Sequence, residues 1–194
     1  MTIIAWDGTT MAADKQATAS GFALITTKIF RLPIGIVGFS GDSGCTMRLL
    51  EWLKRGGLEI EYPTWDDKNN ADALLVTPKC EVFYYSSDCK GIPEIIGNPF
   101  VAMGGGRDYA LATMHLGHNA VKAVEVTCAL DVFCGCGIDA LNLYEDPDEA
   151  FKVISDRYTE INGIIRLNPD ADTKPYDMKI IHFLCDEWDF AFEC

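Results

Sequence analysis

The sequence contains no run of about 18 apolar residues, the length a helix needs to cross a bilayer, so no membrane span is expected. It opens Met1-Thr2-Ile3-Ile4-Ala5-Trp6-Asp7. No basic segment precedes the apolar residues and an acid follows at once, so a secretory signal is not expected and the chain is expected in the cytoplasm. Positive charge is scarce: 16 Lys and Arg stand against 29 Asp and Glu, a net charge of −13. That excludes the basic surface that nucleic acid requires for counterion release, and the polybasic patch that anionic lipid attracts. The acidic runs, such as Asp146-Pro-Asp-Glu149, read as a solvated face that keeps the chain soluble. There are 3 histidines and no paired CxxC motifs. Cys134-Gly135-Cys136 has CxC spacing, and His115 and His118 form a weak pair, so neither metal nor cofactor is expected. Gly104-Gly105-Gly106 lacks the following GKS or GKT of a phosphate-binding loop. What is plentiful is cysteine, with 8 residues. A chain of 194 residues can bury a core without disulfides, so these are expected to be thiols in a reducing compartment, mostly as small buried side chains.

The pattern begins as short strands. Residues 3–6 and 10–13 flank Asp7-Gly8, a hairpin turn signal. Residues 22–25 and 28–32 are expected to pair as a second hairpin, and 35–39 reads as a strand buried on both faces. Residues 46–54 carry Met47, Leu49, Leu50 and Leu53 at helical spacing, stopped by Gly56-Gly57. Residues 73–76 and 81–85 read as a hairpin, and 100–103 as a strand. Helices are expected over 107–116 and 120–133, then a strand over 138–144. Asp146-Pro147 starts a helix over 149–158. A loop spans 168–175, and 179–185 reads as a final strand. Strand runs broken by helix pairs indicate an α+β layered sandwich rather than alternating β-α units.

Four local patterns bear on chemistry, and each also has an ordinary explanation. Met1-Thr2 opens many chains without consequence. Loss of Met1 would nevertheless leave Thr2 with its hydroxyl beside a free α-amine, a nucleophile next to its own base. Asp14, followed by Lys28, fits a surface ion pair or a buried one that lowers the pKa of a neighbouring hydroxyl or amine. Gly38-Phe39-Ser40-Gly41 before a helix fits a plain turn or backbone donors for an oxyanion. Asp131-Val-Phe-Cys134-Gly135 ends the 120–133 helix, where Asp131 could also simply face solvent.

Taken in order, Met-Thr-Ile, Asp14, Lys28-x-x-Arg31-Leu32, Gly-Phe-Ser-Gly41, Met-Gly-Gly-Gly106-x-x-Tyr-Ala and Asp131-x-x-Cys134-Gly135 resemble the proteasome β-subunit and HslV peptidase family over about residues 2–144. The resemblance implies the fold of N-terminal nucleophile hydrolases, a four-layer α-β-β-α sandwich of two antiparallel sheets flanked by helices. It implies one domain over 1–194, with a core over about 2–144 and a C-terminal extension over 145–194. It implies a threonine endopeptidase: Thr2 as nucleophile after Met1 removal, Lys28 beside it, Asp14 positioning Lys28, and Gly41 supplying an oxyanion N–H. Asp131 and Cys134 would hold the nucleophile's end of the site, and Gly38 would form the base of a roomy substrate pocket. No cofactor is implied. The implied partners are peptide or unfolded protein, further copies in a homo-oligomeric ring, and an ATP-dependent unfoldase. The chain departs from the family in several places. Gly105 stands where a serine is frequent, Cys134 replaces a serine, Cys136 replaces a glycine, and residues 145–194 have no counterpart. An inactive structural ring subunit and a small-molecule amidase of the same fold are the alternatives.

Overall fold

A computed structural model describes residues 2–19, 21–57, 59–65, 69–169, 171–174 and 176–193. The removal of Met1, the thiol expected at Cys194, and Asp170 and Pro175 of the 168–175 loop lie outside the described residues. The chain divides into two compact units, one of residues up to Thr77 with Val82–Leu143, the other of Pro78–Glu81 with residues from Tyr144 on. No described helix is long and apolar enough to cross a membrane.

The first unit is built on two antiparallel sheets. β1 (Ile3–Trp6) and β2 (Thr10–Asp14) form the expected hairpin. Asp7 secures its turn by accepting the Thr9 and Thr10 N–H groups at 2.9 and 2.8 Å. β3 (Gln16–Ala19) and β4 (Phe22–Ile25) form a separate two-stranded ribbon. β5 (Ile29–Leu32), β6 (Gly35–Gly41), β7 (Ala71–Val76), β8 (Val82–Tyr85) and β9 (Glu94–Ile96) make a five-stranded sheet in that order. β10 (Val101–Gly104) and β11 (Ile138–Asn142) complete the other sheet, ordered β10-β1-β2-β11.

The two sheets face each other, β1, β2 and β10 against β6, and β2 and β11 against β5. Helix α1 (Ser43–Lys54) covers β6 and β7; α2 (Arg107–His115) and α3 (Ala120–Leu130) cover β1, β2 and β10. Strand alternation explains the layers. Val37 and Phe39 of β6 join Leu49, Leu50 and Leu53 of α1 in one apolar cluster, each buried leucine contributing about 1.5–3 kcal/mol. Ile3, Ala5 and Ala12 join Ala120, Ala123 and Val124 of α3 in another. The helix starts follow from local chemistry: Asp42 accepts the N–H groups of Gly44 and Cys45, and Asn119 accepts that of Lys122. The second oxygen of Asp7 takes the Ala120 N–H at 2.7 Å, so the first hairpin also caps α3. This is the expected α-β-β-α sandwich of antiparallel sheets flanked by helices.

The second unit holds α4 (Pro147–Lys152), β12 (Tyr158–Ile161), β13 (Ile164–Leu167), α5 (Asp177–Trp188) and β14 (Ala191–Glu193). β12 and β13 are antiparallel, and β14 adds to β13 in parallel. Arg157 donates from Nε and Nη2 to the two oxygens of the fully buried Asp177, both at 2.9 Å.

Four expectations are corrected. Residues 22–25 pair with Gln16–Ala19, not with 28–32, which pair instead with β6. Gly21, at φ +83°, turns the chain back earlier than the apolar run suggested. The 120–133 helix stops at Leu130, where Asp131 leaves helical geometry at φ −109°, ψ 112°. The 149–158 helix ends at Lys152, and Tyr158 already begins β12. Residues 179–185 are helical, within α5: Asp177, Ile180, Ile181 and Leu184 recur at helical spacing and are buried.

Candidate functional site

The site grows from the end of β2. Asp14 is fully buried, and its carboxylate collects four donors. Oδ1 accepts from Lys28 Nζ at 2.7 Å and from the Ile3 N–H at 3.0 Å. Oδ2 accepts from the N–H groups of Gln16 at 3.1 Å and Gly135 at 3.2 Å. A carboxylate removed from water has to be satisfied in this way. Lys28, just before β5, is itself buried, with 6% of its side chain exposed. One oxygen therefore ties the ammonium group to the backbone of the residue that follows Thr2.

Thr2 and Lys28 line one cleft of about 370 Å³, with Gly41 and Gly105 also on its wall. Among the described residues Lys28 is the one charged side chain lining it. The rest of the wall is the amide of Gln16, hydroxyl-bearing side chains (Thr18, Thr26, Thr27, Ser40) and apolar ones (Phe30, Phe39, Met47, Leu50). Phe30 and Phe39 pack as a tilted pair with ring centroids 5.9 Å apart.

Gly41 ends β6 at φ +123°, and a Cβ there would meet the Asn70 carbonyl oxygen at 2.4 Å, so this position requires glycine. In a strand, successive N–H groups point to opposite edges. The Phe39 N–H donates to Lys28 O on the β5 side, and the Asp42 N–H to Asn70 O on the β7 side. Two residues on from Phe39, the Gly41 N–H is thereby directed to the β5 side, where Thr26, Thr27 and Lys28 line the cleft. The second and third N–H groups of α1, those of Gly44 and Cys45, are taken by Asp42. A strand-end amide, that of Gly41, is thereby offered on the cleft side.

Gly38 does not serve the cleft. A Cβ on it would meet Ile4 Cγ2 at 2.8 Å and Met11 Sδ at 3.2 Å, so it faces the opposite sheet and makes room for that sheet's side chains. The next residue, Phe39, lines the cleft instead, and its wall there is aromatic, not open. Asp131 is also off the cleft: its Oδ1 accepts the Phe133 N–H at 2.9 Å within its own turn. Cys134 does not line the cleft. It is buried, and it shares with Thr127 and Ile3 the space into which a Cβ of Gly106 would project. Burial, and then the negative charges of Asp14 and Asp131, push its thiol up to about 12, so it stays protonated at neutral pH. Among the described residues no group of three or more His, Cys, Asp or Glu side chains gathers at metal-binding range, and the described cysteines are thiols.

Sequence reasoning missed Gln16. Its amide Nε2 donates to Val132 O at 3.3 Å while its own backbone N–H reaches Asp14. It also missed the Thr26-Thr27 pair directly before Lys28. The adjacency of the threonines to the lysine was visible; the partner of Gln16 lies 116 residues away and was not.

No protein-family model matches the sequence, and no curated protein matches it. Solved structures do. BPH of Thiobacillus denitrificans in complex with epoxomicin is similar at a TM-score of 0.56 and 18% identity, over 74% of this chain and all of that one. A second structure of Thiobacillus denitrificans BPH gives 0.53 and 19%, over 75% and 99%. Eukaryotic HslV from Trypanosoma brucei gives 0.56 and 20%, over 74% and 99%. The chain thus has an HslV-like proteasome β-subunit fold, that of N-terminal nucleophile hydrolases.

Proposed function

We propose that this chain is a threonine endopeptidase subunit whose nucleophile is Thr2 once Met1 has been removed. The observation that carries the reading is the double use of Asp14 Oδ1, which holds the Lys28 ammonium and the Ile3 N–H together at the wall that Thr2 lines. The α-amine of Thr2 takes the proton from its own hydroxyl, and the nearby ammonium stabilises the charge that develops. The hydroxyl oxygen bonds to the scissile carbonyl carbon, and the resulting oxyanion is met by the Gly41 N–H. The amine returns the proton to the leaving nitrogen as the C–N bond breaks. Water then cleaves the ester and restores Thr2. The shared fold with HslV, and with a structure solved with epoxomicin, supports this reading.

The same proposal places the subunit in the cytoplasm, in a homo-oligomeric ring that degrades peptide or unfolded protein, with an ATP-driven unfoldase as partner by analogy of fold. A second reading has its own support. Gly105 brings no hydroxyl to the cleft wall and Cys134 is a buried neutral thiol, which suits an inactive structural ring subunit. Intact mass separates the two. The peptidase reading expects loss of Met1 and an adduct on Thr2 after treatment with an epoxyketone or boronate. Retained Met1, or a free Thr2 that never reacts, establishes the inactive subunit.

A further inference from the structure

Three of the four donors on Asp14 come from residues close to it in sequence (Ile3, Gln16 and Lys28), but the fourth, the Gly135 N–H, comes from a turn 121 residues away. That turn is exposed: Val132 is 82% and Phe133 49% accessible. Two devices hold it. The Lys15 N–H is shared between the carbonyls of Gly135 and Gly137 at 3.0 and 3.1 Å. The Gln16 side chain spans the turn from the other side, with Nε2 on Val132 O at 3.3 Å and Oε1 accepting the Cys136 thiol at 3.8 Å. The orientation of this amide follows from its partners, because a carbonyl only accepts and must face the NH₂ end. Between these two contacts the turn backbone lies directly on the amide: a Cβ on Gly135 would come within 2.9 Å of Gln16 Oε1.

We infer that Gln16 is a positioning residue, latching the 132–136 turn so that the Gly135 N–H stays on Asp14 and the Asp14–Lys28 pair keeps its place. Its consequence for turnover rests on the peptidase reading; its structural part does not. Gln16 also lines the cleft that Thr2 and Lys28 share, and its loss leaves Thr2, Asp14 and Lys28 in the chain.

The test compares Gln16→Ala, Gln16→Glu, Cys136→Ser and Cys136→Ala in the full chain, reading Gly135 amide exchange and the kinetics of a fluorogenic peptide. Glu has the shape of Gln but cannot donate to Val132 O when ionised, so a residue that acted only by packing would tolerate it. Both Gln16 variants are expected to exchange the Gly135 amide about tenfold faster and to lower kcat about tenfold with KM within about twofold, the scale of one hydrogen bond. Cys136→Ser, which keeps a donor, is expected to match the parent, and Cys136→Ala to fall between. Unchanged Gly135 exchange, or a Gln16→Glu enzyme with parental kcat, overturns the inference. If the parent chain hydrolyses nothing, the Thr2 reading fails by itself. The Gly135 exchange and the NMR shift of the Lys28 ammonium then decide the latch: movement of both in Gln16→Glu sustains it, and constancy of either overturns it.

Discussion

Removing the Asp14 carboxylate should cost far more than removing its partner. Asp14→Ala leaves the Lys28 ammonium buried beside a cavity, and strips the N–H groups of Ile3, Gln16 and Gly135 of their acceptor. Breaking a buried ion pair from one side costs about 3–5 kcal/mol. For a chain of this size that corresponds to a fall of about 6–20 °C in Tm. Lys28→Met leaves the carboxylate with three N–H donors, so its expected cost is smaller, about 1–3 kcal/mol. The double variant removes both charges together, and its cost should fall below the sum of the singles by at least about 1 kcal/mol. Urea denaturation at neutral pH, followed by tryptophan fluorescence, measures all three. Should Asp14→Ala prove too unstable to purify, Asp14→Asn keeps the shape while turning a donor toward the N–H groups of Gln16 and Gly135, and is expected to lie between the other two. A loss of less than about 1 kcal/mol for Asp14→Ala, or strict additivity in the double variant, refutes the claim that this carboxylate organises the site.

Other consequences follow from the same geometry. Thr2→Ala is expected to abolish peptide hydrolysis while circular dichroism and oligomer size stay those of the parent; parental activity in that variant sinks the mechanism. Gly104, at φ +98°, would place a Cβ 2.1 Å from the Thr2 carbonyl oxygen, so Gly104→Ala should displace Thr2 and abolish labelling by an epoxyketone. Gly97→Ala, which meets nothing within 4 Å, serves as the control, and equal labelling of the two would contradict the packing. Stability should also decline in alkali. Burial holds the Cys134 proton to about pH 12 in the folded chain, whereas the unfolded thiol releases it near 8.5, so this contribution is whole below that value and is lost as pH rises toward 12. The loss is about 1.4 kcal/mol per pH unit within that window. Cys128, pushed by burial up to about 11, adds to it. Urea midpoints at pH 8 and 10 should therefore converge in Cys134→Ala relative to the parent, and an unchanged slope would remove Cys134 from the account.

Much of this molecule was written locally. The Asp7-Gly8 turn, the strand character of β1 and β2, and the apolar stripe of α1 each depend on neighbours within a few residues, and each formed where the sequence put it. So did the order in which Thr2, Asp14, Lys28 and Gly41 arrive, which is why the resemblance could be read at all. The fold decided what depends on distant partners. Residues 179–185 are apolar enough for either strand or helix, and burial of one helical face settled them as α5. Residues 22–25 had two candidate partners, and the turn at Gly21 selected the earlier one. Gly38 and Phe39 are adjacent, so one faces the opposite sheet and the other the cleft; which was which depended on register, because a shift of one residue exchanges the two faces of a strand. The four donors on Asp14 come from residues 3, 16, 28 and 135, and only packing in three dimensions could bring them to one carboxylate.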